Sequence, residues 1–311
     1  MIKKAMELIG KHPFKQLARD PTSKNEKRVN DLLKKLEKDG AVDKKLLSAL
    51  RLPVGSSQPP LFYGRVKLHK QDYPIRPIVS AVGSCTHKVA KTVERCLAPY
   101  SRKVPSYIKN TKELIDKLKE VEIGVDEVLM SFDVQSLFTS VPVNDALAAV
   151  SKRLRNDDSV KQRTGMADET IMTSLKLCLG ITAFQFRGNP YELEDGPAMG
   201  SPVSPVVANI FMAELETKAL EGFGCAPSVW YRYVDDVLSV VKRSLVQSLL
   251  DHLNGQHESI TFTVEMEENG VLPFMDVVLK RSVSGKIETA VYRKPSHTER
   301  YLQFSSHRPL G

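Results

Sequence analysis

Val229-Trp230-Tyr231-Arg232-Tyr233-Val234-Asp235-Asp236-Val237-Leu238-Ser239-Val240-Val241 sets two adjacent carboxylates between runs of β-branched and aromatic residues. The pattern predicts two strands joined by a tight turn. Core strands gain nothing from carboxylates at their junction, because an unpaired buried charge is costly. A divalent cation removes that cost. An ordinary Asp-Asp surface turn fits the spacing equally well, so the rest of the chain has to decide.

The 311 residues carry a formal net charge of +8, with 41% hydrophobic and 26% charged residues. This is the balance of a globular chain large enough for two or three subdomains. No run approaches the roughly 18 apolar residues of a membrane-spanning helix, and Met1-Ile2-Lys3-Lys4-Ala5-Met6-Glu7 lacks the apolar stretch of a secretory signal. Cys85, Cys96, Cys178 and Cys225 show no Cys-x-x-Cys spacing, which argues against zinc and disulfides and for a reducing intracellular compartment. Residues 1–110 hold 24 Lys or Arg against 9 Asp or Glu, and the remainder 21 against 28. A basic first third beside an acidic remainder fits a polyanion-binding surface next to a site that needs cations. A solvated lysine-rich helical region has the same composition.

Val29, Leu32, Leu33 and Leu36 recur at helical spacing with lysines opposite, and Gly40 is the expected stop. Residues 52–60, rich in Pro, Gly and Ser, read as the main boundary loop. Residues 61–70 and 71–80 then read as two short strands. Arg65, Lys67 and His69 alternate on the first and Arg76 sits on the second, so cations share a face. Such a face suits phosphates; an exposed basic hairpin fits it as well. Helical spacing over 86–120 is expected to break around Pro99 and Pro105. Val125 to Val134 reads as a buried strand that delivers Asp133 to a loop, followed by a helix capped by Asn144.

A hairpin is expected through Gly188-Asn189. Gly200-Ser201-Pro202 reads as a loop entering a long apolar helix, with Gly allowing close approach and Ser available as a cap. Taken alone, a plain capped core helix is the favoured reading there. After the Asp-Asp hairpin come an amphipathic helix over 244–254 and an alternating strand over 260–266. A strand pair, 272–281 with 287–295 around Gly285, completes the pattern.

Phe132-Asp133-Val134 with Phe138, then Met199-Gly200-Ser201-Pro202-Val203-Ser204-Pro205, then Tyr233-Val234-Asp235-Asp236 follow a basic hairpin in this order. Together they closely resemble the three catalytic motifs of a reverse transcriptase. Tyr63-Gly64 through His69-Lys70, Arg76-Pro77-Ile78, Ser136-Leu137-Phe138-Thr139, Leu272-Pro273-Phe274-Met275-Asp276 and Tyr292-Arg293-Lys294-Pro295 resemble the reverse transcriptase of Penelope-like retroelements in particular. The resemblance covers about residues 20–309. It implies an α+β fold, the fingers and palm of a right-hand polymerase, with an antiparallel palm sheet backed by helices. Residues 1–60 then form a basic N-terminal helical extension and 61–125 the fingers. Residues 126–285 form the palm, with a fingers insertion near 155–195, and 286–311 the primer-grip region and the start of a thumb.

The implied reaction is RNA-directed DNA synthesis, with dNTPs added to a primer 3′-hydroxyl by two Mg²⁺ ions, or Mn²⁺ in their place, roughly 3.5–4 Å apart. The resemblance makes Asp133 and Asp235 the main metal ligands, Asp236 the third carboxylate, and the Val134 carbonyl a further ligand. Lys67 and Arg76 then hold the triphosphate, and Phe138 sits under the sugar and excludes a 2′-hydroxyl. Gly200 and Ser201 pack near the template base and nucleotide. Arg65, Pro202, Tyr233, Tyr292, Arg293 and Lys294 fall to primer and template, and Lys280 is a candidate proton donor. RNA template, DNA primer and dNTPs are the implied partners, with no membrane and no obligate protein partner, in an intracellular setting, the nucleus by expectation.

Two departures stand against the resemblance. Gly196 occupies the position, four residues before the motif glycine, where many reverse transcriptases carry Gln, so one nucleotide contact is expected to be absent or supplied elsewhere. The sequence also stops where a thumb is expected to begin, and no Gly-Ile-Tyr pattern of an appended endonuclease is present. A truncated nucleic-acid-binding remnant without catalysis is therefore the alternative, and a metal-dependent hydrolase on the same aspartates a third reading.

Overall fold

The computed structural model describes residues 2–10, 14–66, 73–194 and 196–293. Helix α1 (Ile2–Ile9), strand β1 (Phe14–Gln16), α2 (Thr22–Lys38) and α3 (Lys44–Leu50) precede the hairpin of β2 (Leu61–Val66) and β3 (Ile75–Ser80). Next come α4 (His87–Arg102), α5 (Thr111–Leu118), β4 (Glu127–Val134), the short α6 (Leu137–Ser140), α7 (Val143–Arg155), α8 (Val160–Thr164) and α9 (Asp168–Leu179). The hairpin of β5 (Phe184–Phe186) and β6 (Asn189–Leu193) leads to α10 (Val203–Gly222). The chain then runs through β7 (Val229–Tyr233), β8 (Asp236–Lys242), α11 (Val246–Asn254) and β9 (Phe262–Met266). It ends on β10 (Val271–Phe274), β11 (Val277–Arg281) and β12 (Ile287–Val291).

The central sheet has the order β7-β8-β4-β9, antiparallel throughout. Side chains alternate across a strand, so its two faces differ. Phe132, Val134, Trp230, Val237, Val241 and Phe262 point into the main core, built with α4, α7, α9 and α10. Leu129, Val229, Leu238 and Val240 point the other way, onto Leu114 and Leu118 of α5 and onto Leu272, Phe274 and Leu279 of β10 and β11. Helix α10 lies within the helical layer, against α4, α7 and α9. It is buried on nearly all sides, which is why its sequence is apolar right round instead of striped. A five-stranded sheet, β1-β6-β5-β2-β3, and the three-stranded β10-β11-β12 complete the architecture. The expected α+β class, with an antiparallel sheet backed by helices, is what the chain adopts.

Gly40 does stop α2. It takes φ +60°, its N–H bonds to the Glu37 carbonyl and the Ala41 N–H to the Leu36 carbonyl, the Schellman arrangement. Several local expectations are overturned. Pro99 does not break its helix: α4 runs through it to Arg102, because the missing N–H falls in the last turn of a helix anchored by buried Val93 and Leu97. Asn144 does not cap α7, which starts at Val143 behind Pro142, and Ser201 does not cap α10. Ser204 Oγ instead donates to the Ala198 carbonyl at 2.7 Å. The β5–β6 turn is Arg187-Gly188, not Gly188-Asn189, since both residues take positive φ (+52° and +80°), the type I′ sign pattern. Residues 272–281 are not one strand but a hairpin about Met275-Asp276, with Phe274 opposite Val277. Phe14–Gln16, in the stretch read as helix and loop, pairs with β6; three residues are too few to show an alternation.

Candidate active site

Asp133 stands near the end of β4, directly opposite Asp236 at the start of β8 and Thr263 of β9. Asp236 in turn faces Tyr233. The four residues form a row across the sheet, and such cross-strand partners hold their Cβ atoms about 4.5–5.5 Å apart. The row continues the face of Leu129, Leu238 and Val240, but beyond the cover of α5, β10 and β11. Hence Tyr233, Asp133 and Thr263 are exposed, while Phe132 and Val237 on the opposite face are buried.

Val234 and Asp235 make the turn between β7 and β8. Val234 has φ +58° and Asp235 a negative φ, the sign pattern of a type II′ turn, where glycine is usual. A β-branched residue there is strained by on the order of 1–3 kcal/mol and persists only when its surroundings hold it. Two bonds do so: the Arg232 guanidinium donates to the Val234 carbonyl at 3.2 Å, and the Val134 N–H donates to the Asp235 carbonyl at 3.0 Å. Among the described residues no three Asp, Glu, His or Cys side chains converge into a ready-made cation cage. Two facing carboxylates with a third beside them nonetheless suit a hard divalent ion, because Mg²⁺ takes few protein ligands and fills its shell with water and substrate phosphates.

The loop before α10 is fixed by two glycines. At Gly200 (φ +105°) a Cβ would lie 2.3 Å from the Val79 carbonyl, and at Gly196 (φ +76°) 2.7 Å from the Phe138 carbonyl. The Val79 N–H also donates to the Met199 carbonyl at 2.7 Å. The loop is thus pinned between α6, just after Asp133, and β3, which carries Arg76. No side chain fits at Gly196, which accounts for the departure from Gln at that position. Phe138, Ser201 and Pro202 are half-buried along this seam.

Arg65 and Arg76 are exposed cross-strand partners. Like charges directly opposite one another are destabilising, so this face gains from a bound anion. Lys67 and Lys294 lie outside the described residues. The Tyr292 N–H donates to the Asp276 carbonyl at 2.9 Å, beside the β10–β11 turn, and exposed Arg293 follows it. Arg281, next to Lys280, donates to the Glu127 carbonyl at the other end of β4 from Asp133. The sequence reading passed over Arg232, Glu216 and Asn209; the available signal was one arginine inside an otherwise apolar strand.

Residues 68–267, well over half of the chain, match the family of reverse transcriptases (RNA-dependent DNA polymerases). The chain belongs to the reverse transcriptase family. No curated protein matches it. Among solved structures, this chain is similar to apo telomerase of Candida tropicalis lacking its C-terminal domain, at 12% identity and TM-score 0.51, over 78% of this chain and 56% of that one. It is similar to Candida albicans telomerase in complex with a TWJ fragment of telomeric RNA, at 10% identity and TM-score 0.54, over 78% and 48%. The BmCPV RNA-dependent RNA polymerase in its elongation state is similar at 10% identity and TM-score 0.52, over 88% and 25%. These likenesses carry the fold alone, that of right-hand polymerase fingers and palm. The chain spans about half the length of the telomerase chains it matches.

Proposed function

We propose that this reverse transcriptase is the fingers and palm of an RNA-directed DNA polymerase of a Penelope-like retroelement, adding dNTPs to a DNA primer along an RNA template. The observation that carries the reading is the register that sets Asp133 opposite Asp236, beside the Val234-Asp235 turn, on the uncovered end of the sheet. That one structural neighbour, a telomerase, was solved with a telomeric RNA fragment supports an RNA partner.

In this reading Asp133 and Asp235 are the main ligands of two Mg²⁺ ions, with Asp236 and the Val134 carbonyl beside them, and Mn²⁺ can substitute. Bound there, the ions lower the pKa of the primer 3′-hydroxyl and neutralise the departing pyrophosphate. Arg76, together with Lys67, binds the triphosphate, and Phe138 stands under the sugar against a 2′-hydroxyl. Gly200 and Ser201 let the backbone approach the base pair, while Arg65, Pro202 and Tyr233 meet the strands and Tyr292, Arg293 and Lys294 the primer end. The division into extension, fingers, palm and primer grip, and a nuclear location, belong to the same reading. Primer extension on an RNA template tests it: wild type is expected to incorporate dNTPs and Asp235→Ala to lose this, and equal incorporation by both removes the proposed site. A second reading, nucleic-acid binding without catalysis, draws on the basic first third and expects salt-sensitive binding with no extension at any Mg²⁺ concentration.

A further inference from the structure

Arg232 lies in β7 with none of its surface exposed. By strand alternation its side chain leaves the sheet on the side opposite Asp236 and Asp133. Its Nε donates to Glu216 Oε1 at 2.8 Å, and one terminal nitrogen to Asn209 Oδ1 at 2.6 Å and to the Val234 carbonyl at 3.2 Å. The other terminal nitrogen donates to the Asn209 carbonyl at 3.3 Å. Glu216, buried as well, also accepts from Trp230 Nε1 and Ser106 Oγ, each at 3.0 Å. The Arg232 backbone is held on its far side, its N–H by the Ser106 carbonyl and its carbonyl by the Ile108 N–H.

A buried ion pair contributes little more to stability than apolar residues of the same volume, so stability is a poor account of this network. What an apolar pair could not supply is the bond to Val234, the strained residue of the Val234-Asp235 turn. We propose that Arg232 is a positioning residue for the carboxylate row: by tying the Val234 carbonyl to Asn209 and Glu216 of α10, it sets the height of Asp235 and Asp236 against Asp133, and with it the affinity of the row for divalent cations. The inference rests on the reading of that row as the metal site. Arg232 itself touches neither substrate nor ion.

The test uses the full chain and two variants. Arg232→Lys keeps a cation beside Glu216 but loses the guanidinium fork. The double variant Arg232→Met/Glu216→Gln removes both charges together, so that no charge is orphaned in the core. Circular dichroism establishes that each is folded, Tb³⁺ luminescence sensitised by Tyr233 reports cation binding, and primer extension gives kcat and the KM for dNTP. The expected result is Tb³⁺ binding weakened by about tenfold or more, as for other residues that orient metal ligands, with kcat falling by a similar factor. The KM for dNTP stays near wild type, and raised Mg²⁺ restores part of the rate. A folded variant with wild-type Tb³⁺ affinity and kcat overturns the proposal, and so does failure of both variants to fold, which would make Arg232 a folding residue. Asp235→Ala separates the two layers of the argument. If it too binds Tb³⁺ and extends primers like wild type, the metal-site reading falls and this inference with it; if it loses both while the Arg232 variants lose neither, this inference falls alone.

Discussion

At Asp133 and Asp236 two carboxylates face one another across a ladder, an arrangement that suits a cation. Chemistry and stability should therefore separate. Asp133→Asn is expected to abolish primer extension while changing stability by no more than about 1 kcal/mol, the scale of one cross-strand pair. Calorimetry without added divalent ion checks this, and a larger change in stability with normal extension contradicts both halves. Phe138→Val is expected to let ribonucleotides compete with dNTPs, read as a fall in the dNTP/rNTP ratio of kcat/KM; an unchanged ratio removes Phe138 from the sugar site. Gly200→Ala forces a side chain onto the Val79 carbonyl at a φ that L-residues rarely take. It is expected to cost roughly 1–3 kcal/mol and to reduce extension at temperatures where the chain stays folded. Wild-type extension and Tm in that variant would show that the loop does not need the close approach.

Among the elements, α2 reaches the boundary loop through a carboxylate. Glu26, buried in the helix, accepts from the Gly55 N–H at 2.6 Å and the Ser57 N–H at 3.0 Å. The Ser57 side chain, then the Gly55 N–H, hold its carboxyl below the usual carboxylate range. A carboxyl with a depressed folded pKa contributes stability that is present above its unfolded value, about 4.3 for Glu, and lost as pH falls through the folded value. Glu26→Ala is thus expected to lower stability at neutral pH by roughly 1–3 kcal/mol, through two unmet N–H groups. The gap from wild type should narrow as the pH drops below that unfolded value. Urea unfolding across this window decides it, and a gap independent of pH removes the carboxylate from the account.

The whole molecule is asymmetric in charge, with its basic excess in the first 110 residues and its carboxylate row in the acidic remainder. Binding and chemistry should therefore be separable. Asp235→Ala is expected to bind an RNA–DNA primer–template as tightly as wild type, with affinity falling steeply as salt rises, because each phosphate contact releases counterions. Fluorescence anisotropy at several ionic strengths measures this; a salt-insensitive affinity would contradict a phosphate-binding surface.

The sequence by itself determined the strand–turn–strand that carries Asp235 and Asp236, the strand that delivers Asp133, the Gly40 stop and the loop entering α10. Each is written in local periodicity or turn chemistry, which a dozen consecutive residues suffice to express. Only the tertiary structure decided that Asp133 faces Asp236, that Gly196 and Gly200 pin one loop between Phe138 and Val79, and that Arg232 reaches across to α10. These depend on which strands pair, in what register, and on how closely backbones approach. Such contacts join residues distant along the chain, so no local pattern encodes them, and they form only when the core closes.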